Sequence, residues 1–129
     1  WQSRISTVLS HDMEAIAGGV LERWFTKDYL DASPPALDHL RQHLLACSPV
    51  GYAGCCAAIR DMDLRPVINL ISRPTLVISG MRDPATPPDQ GSLIAAAIVD
   101  SIELLIDAAH LSNVERSLEF NSAVLTFLS

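Results

Sequence analysis

Five consecutive residues, Thr75-Leu76-Val77-Ile78-Ser79, constrain the fold of this chain more than any other stretch. All but Ser79 are β-branched or apolar, and the run lies between Pro74 and Gly80 without alternating between apolar and polar positions. A short run of that kind reads as a strand, and the missing alternation predicts burial on both faces, as in a parallel sheet. A loop over Gly80–Pro88 and a helix near Asp89–Ile98 separate it from a second strand at Ser101–Ile106. A loop over Asp107–Asn113 and a closing helix at about Arg116–Leu128, with Leu118, Val124, Leu125 and Phe127, complete the pattern. Strand-loop-helix, repeated, is the unit of a doubly wound α/β fold. Two parallel strands are too few for a sheet buried on both faces. The remaining strands are therefore expected in residues beyond these or in another chain.

Upstream the pattern is helical. A segment around Ser3–Ser10 leads into a stronger one at Asp12–Phe25, where Met13, Ile16, Val20, Leu21 and Trp24 fall near helical spacing. Gly18-Gly19 weakens that helix by up to ~1 kcal/mol per glycine. Ser33 before Pro34 predicts a helix start, and Leu37, Leu40, Leu44 and Leu45 form its apolar stripe. Ser48-Pro49 repeats the start signal before Gly51–Ile59, and a short helix from Asp63 to Ile71 is expected to turn Leu64, Val67, Ile68 and Ile71 inward. The first residue, Trp1, already lies in helical pattern and is not a methionine, so a piece of a longer protein is expected.

Composition narrows the function classes. A net charge of −6 leaves no basic face to neutralise phosphates, which argues against nucleic acid. The apolar stretches are too short to span a bilayer, and no leader pattern is visible. Cys47, Cys55 and Cys56 form neither an even disulfide set nor a CxxC pair; adjacent cysteines in an apolar helix read as small buried residues in a reducing compartment, with the cytoplasm as default. His39 and His43, spaced i,i+4, are able to face one metal, but no HExxH glutamate or third ligand accompanies them, and they read as surface histidines.

The chemistry lies after the two strands. Ligands of open α/β sheets bind at the carboxyl ends of the strands. Each strand here runs into a loop with one conspicuous titratable group, Asp83 in Gly80–Pro88 and His110 in Ala108–Asn113. An acid followed by a histidine, each just past a strand, matches the last two members of a Ser-Asp-His chain order. His110 would take a proton from a serine hydroxyl and return it to the leaving oxygen, while Asp83 would hold the tautomer and stabilise the imidazolium. No Gly-x-Ser-x-Gly occurs in the chain, so the nucleophile is expected outside it. Cys55-Cys56 sits in a helical run without an elbow turn and is a poor substitute.

Several stretches carry a resemblance. Gly51-Tyr52-Ala53-Gly54-Cys55-Cys56-Ala57-Ala58-Ile59-Arg60-Asp61-Met62-Asp63-Leu64-Arg65 resembles the segment after the cap in 3-oxoadipate enol-lactonases, a group of α/β-hydrolases. Asp83–Pro88 resembles that family's acid loop, Ala108–Glu115 its histidine loop, and Glu22-Arg23-Trp24-Phe25 the end of a cap helix. The resemblance implies a helical cap over 1–50 and the C-terminal part of an α/β-hydrolase core over 51–129, with the sheet incomplete. It implies hydrolysis of a small enol-lactone to 3-oxoadipate in bacterial aromatic catabolism, with Asp83 and His110 as triad acid and base and no metal or organic cofactor. Trp24 becomes a cap residue facing substrate, and Arg82 or Arg60 the cation for the substrate's free carboxylate. Other α/β-hydrolase activities (esterase, haloperoxidase-like or acyltransferase) share the two loops. A catalytically silent chain that self-associates, or one that pairs with the N-terminal part of such a fold, also fits the open sheet.

Overall fold

The computed structural model describes every residue from Trp1 to Ser129. Helices α1 (Gln2–His11), α2 (Glu14–Trp24), α3 (Lys27–Ala32), α4 (Pro35–Leu45) and α5 (Pro49–Asp61) come first. Strand β1 (Thr75–Gly80), helix α6 (Pro88–Ala97), strand β2 (Ser101–Ile106), and helices α7 (Ser112–Glu115) and α8 (Ser117–Leu128) follow.

Helix starts obey local chemistry. Ser48 Oγ accepts the Gly51 amide at 3.3 Å, with Pro49 at the first turn of α5, so an otherwise orphaned donor is satisfied. Asp12 turns the chain between α1 and α2 with a positive φ of 68°, and its carboxylate accepts the Met13 amide at 2.7 Å. Helix α2 runs unbroken through Gly18-Gly19. Its inner face joins α1, α4 and α5 in a cluster of Val8, Met13, Ala17, Val20, Leu44 and Ala53, with Ile5, Ile16, Trp24, Leu45 and Tyr52 packed against it. Burying a side chain such as Val8 or Met13 fully contributes about 1.5–3 kcal/mol, and this supplies what the glycine pair costs. The cluster reaches into α5 through Ala53, so the helical layer extends past residue 50.

Two local expectations are corrected. Ser33 does not start α4: it ends α3 in a left-handed conformation, φ 45°, and Pro34 and Pro35 open α4. Helix α3, only six residues long, is too short to show a period in sequence; it forms because Thr26 Oγ1 accepts the Tyr29 amide at 3.4 Å. The helix expected over Asp63–Ile71 reduces to a single 3₁₀ turn, Ile68–Leu70. Pro66 lacks an amide to donate, and Asp63 captures the Arg65 amide at 3.1 Å, a side-chain bond that competes with helix. Leu64, Val67 and Ile71 are consequently exposed rather than turned inward.

The sheet consists of β1 and β2, paired in parallel from Thr75↔Ser101 to Gly80↔Ile106. Helix α6 covers one face: Ser101 Oγ donates to the Ala95 carbonyl at 2.6 Å, and Gly91 lies over Ser79 and Val77. Burial of both faces is not reached within this chain. Ile102 of β2 is 55% exposed and Leu118 of α8 is 87% exposed, apolar surface of the kind that further strands and helices cover in a complete α/β layer. No helix is long and apolar enough to cross a membrane.

Candidate active site

Because Gly80 and Ile106 are register partners, both loops leave the sheet at the same level. Two backbone bonds then lace the loops together: the Met81 amide donates to the Ile106 carbonyl at 2.8 Å and the Arg82 amide to the Ala108 carbonyl at 3.0 Å. Gly80 permits this approach. A Cβ there would lie 2.6 Å from the Ala108 carbonyl oxygen and closer still to that of Ala109.

The lacing brings Asp83 and His110 into contact, with Asp83 Oδ2 2.8 Å from His110 Nδ1. Asp83 is only 6% exposed and accepts every bond its environment offers. Oδ1 takes the amides of Ala85 at 2.7 Å and Thr86 at 3.1 Å, and Oδ2 also takes the Thr86 hydroxyl at 2.7 Å. Burial pushes the carboxyl pKa up, but the bonds from the Thr86 hydroxyl, His110 and the two amides together outweigh it. The net shift is downward, and the group is an anion near neutrality. An ionised carboxylate only accepts, so Nδ1 of His110 carries the proton and Nε2 presents its lone pair. The Thr86 hydroxyl lies 3.2 Å from Nδ1 and so borders both rings of contact. With its side chain 36% exposed, His110 is a base held by a buried acid and open on its far side.

His110 opens onto a cleft of ≈ 600 Å³ between the helical layer and the loops, whose walls include Trp24, Arg4, Arg23, Tyr52 and Cys55. A second cleft of ≈ 250 Å³ runs along β1, past Ser79 and Gln90 to Asp83 and His110. Trp24 is tied to the histidine loop by its own backbone, its carbonyl accepting the Leu111 amide at 2.9 Å. Glu115 adds a second tie, accepting the Thr26 amide at 3.2 Å, the Thr26 hydroxyl, and the Ala109 amide at 3.1 Å. A single carboxylate thus joins the residue that precedes α3 to the residue that precedes His110.

The two arginines singled out in sequence do not line the cleft. Arg82 spans Asp28 at 3.3 Å and Asp107 at 2.9 Å, holding α3 against the loops. Arg60 is engaged by Asp61 at 2.8 Å and by Gln2 at 2.5 Å. The cleft's cations are instead Arg4 and Arg23. Arg23 stands beside Trp24 in the Glu22–Phe25 stretch, a signal open to sequence reading; Arg4 joins it only through the pairing of α1 with α2. Cys55 and Cys56 also border the cleft, from a regular helix. His39 and His43 bring their Nε2 atoms to 3.0 Å on the outer face of α4, and no group of three or more His, Cys, Asp or Glu side chains assembles to hold a metal.

No protein-family model matches the chain. It is 39% identical over 124 residues to 3-oxoadipate enol-lactonase 2 of Acinetobacter baylyi, covering 96% of this chain and 46% of that protein. The crystal structure of an enol-lactonase from Burkholderia xenovorans superposes with a TM-score of 0.97 at 41% identity, covering 99% of this chain and 49% of that one. A thermophilic esterase from Thermogutta terrifontis superposes with a TM-score of 0.88 at 25% identity, over 98% of this chain and 47% of its own. The chain spans about half the length of the curated relatives it matches.

Proposed function

Because this chain is related to the 3-oxoadipate enol-lactonases and has an α/β-hydrolase arrangement of strands and helices, we propose that it supplies the acid and base of a Ser-His-Asp hydrolase acting on a small enol-lactone. The observation that carries the reading is the 2.8 Å contact between Asp83 and His110 at the ends of adjacent parallel strands. The serine lies outside residues 1–129 and reaches His110 when the remaining strands of the sheet pair with this chain. Residues 1–50 act as the larger part of a helical cap, and 51–129 as the C-terminal part of the hydrolase core. Three free cysteines fit a reducing compartment such as the cytoplasm.

The reaction follows from the proton inventory. His110 Nε2 takes the serine proton as the serine oxygen attacks the lactone carbonyl, and backbone amides contributed with the serine hold the oxyanion. Asp83, already bonded to Nδ1, stabilises the imidazolium so formed. Collapse of the tetrahedral intermediate breaks the ring C–O bond, and His110 returns its proton to the departing enol oxygen. The enol becomes the ketone of a 3-oxo acid. Water, deprotonated by the same nitrogen, then releases the acyl group as a carboxylate. Each step uses protein groups alone, with no metal or organic cofactor.

The test joins this chain to the half of the Acinetobacter baylyi relative that it does not match. The fusion hydrolyses 3-oxoadipate enol-lactone, the separate 129-residue chain does not, and Asp83→Asn or His110→Gln in the fusion removes most turnover, His110→Gln by about 10⁶ in kcat. Full turnover by the fusion carrying His110→Gln, or by the chain alone, would overturn the reading. The likeness to an esterase keeps a second substrate class in play, and preference of the fusion for simple aryl esters over the enol-lactone would favour it.

A further inference from the structure

Helix α4 presents a pair of imidazoles that the proposed hydrolysis does not use. His39 and His43 are exposed, one helical turn apart, with their Nε2 atoms 3.0 Å from each other. A direct N–H···N bond accounts for that length but poorly for the direction of the rings. A collinear bond of 3.0 Å places the ring centroids about 5 Å apart, because each centroid lies behind its nitrogen. Here the centroids are 4.3 Å apart and the ring planes are inclined at 75°. The two nitrogens are therefore turned off the line that joins them, as ligands of a shared third atom are.

The spacing fits a metal ion. Imidazole nitrogens bind divalent transition metals at about 2.0–2.1 Å. Two such bonds across a 3.0 Å gap enclose an angle of about 94°, close to the cis angle of a square-planar or octahedral ion. A tetrahedral ion needs a gap of about 3.4 Å. Tetragonal nitrogen sites suit Cu(II) and Ni(II), and Cu(II) heads the affinity order of the divalent first-row ions.

The surroundings leave the pair available. Leu44, 4% exposed, anchors α4 in the helical core, so the backbone under the histidines is fixed before any ligand arrives. Arg41 lies two positions from each histidine, hence on another side of the helix, and Glu14 holds its guanidinium at 2.5 Å. Cys47, a turn beyond His43, donates its thiol to the His43 carbonyl at 3.4 Å, which turns the sulfur toward the backbone. The net charge of −6 favours a cation over an anion at any such point.

We propose that His39 and His43 chelate one divalent transition-metal ion, Cu(II) or Ni(II) in preference to Zn(II), on the outer face of α4. The helix supplies two cis ligands and water fills the remaining positions. The ion takes no part in the hydrolysis proposed above, so this site and that reading stand or fall separately.

Ni(II) is the probe, because Cu(II) oxidises free thiols and the chain carries three. Calorimetry and imidazole NMR on the 129-residue chain titrated with nickel chloride are expected to show saturable binding of one ion. The ring signals of His39 and His43 broaden, and those of His11 and His110 do not. His39→Gln and His43→Gln each weaken binding by about tenfold or more, since each removes the partner that the helix holds at high effective concentration, and far-UV spectra stay unchanged. His11→Gln and Cys47→Ser leave binding as it was, and Mg(II), which prefers oxygen ligands, does not compete. No saturable binding, parent affinity in either of the two glutamine variants of α4, or loss of binding in Cys47→Ser would overturn the chelate. Tighter binding of Zn(II) than of Ni(II) would overturn the coordination geometry assigned to it.

Discussion

Gly80→Ala tests whether the lacing of the two loops sets the Asp83–His110 contact. The added methyl would lie 2.6 Å from the Ala108 carbonyl oxygen and closer to that of Ala109, where ordinary contact begins near 3.4 Å. Relief therefore requires the strand end and the histidine loop to separate by about 0.8 Å or more, because both obstacles are backbone and neither rotates away. Added to the present 2.8 Å, that displacement carries Asp83 Oδ2 and His110 Nδ1 to about 3.6 Å, beyond hydrogen-bond reach. Overpacking of this kind costs roughly 1–3 kcal/mol, and weakening the Met81–Ile106 and Arg82–Ala108 bonds adds about 1 kcal/mol. Urea unfolding followed by tryptophan fluorescence reads the stability, and long-range imidazole ¹⁵N spectra read the tautomer. The expected result is a loss of about 2–4 kcal/mol with His110 moving from a pure Nδ1–H form to a mixture of tautomers. A variant within about 0.5 kcal/mol of the parent that keeps the Nδ1–H form would refute the steric argument.

Three further outcomes are expected. Asp83 has a folded pKa below its unfolded one, so its carboxylate stabilises the fold fully above about pH 4 and loses that contribution as pH falls through the depressed value. The stability gap between parent and Asp83→Asn should accordingly close in acid denaturation below about pH 4, and a gap that widens there would contradict the sign. Thr86→Val removes the hydroxyl donor to Oδ2 and should raise the Asp83 pKa, read as a higher midpoint in the ¹³C carboxyl titration; an unchanged midpoint would discount that bond. Glu115→Ala strands the Thr26 and Ala109 amides and should cost about 2–4 kcal/mol, with faster hydrogen exchange at Ala109 and Leu111 than in α1. Uniformly faster exchange across the chain would instead mark Glu115 as a general stabiliser rather than a tie between α2 and the histidine loop.

The strands were legible because a strand of six residues is read from its own composition. Thr75–Ser79 carries β-branched residues between Pro74 and Gly80, and the strand expected at Ser101–Ile106 coincides with β2. Their parallel pairing followed from the helix between them, which forces a crossover. The order of acid and histidine followed too, since both sit where a doubly wound sheet exposes its loops. Short irregular elements were harder. Ser33 before Pro34 has the chemistry of a helix start, but the left-handed turn that closes α3 takes the same residue, and a six-residue helix leaves no periodic trace. The apolar residues between Asp63 and Ile71 have a plausible helical spacing, which Pro66 and the side chain of Asp63 override.

By itself, then, the amino-acid order determined where the strands lie, that they run parallel, and which acid and histidine follow them, because each of these depends on neighbours within a few positions. The tertiary structure alone decided that Asp83 and His110 touch, since that distance depends on Gly80 letting two loops approach across the sheet. It also decided which arginines are free. Arg82 lies next to Asp83 in the chain, yet Asp28, more than fifty residues away, and Asp107 claim it, while Arg4 and Arg23 meet in the cleft only because α1 and α2 fold back on one another. Ion pairing reaches across the fold to whichever charge is near in space, and spacing along the chain carries no record of that choice.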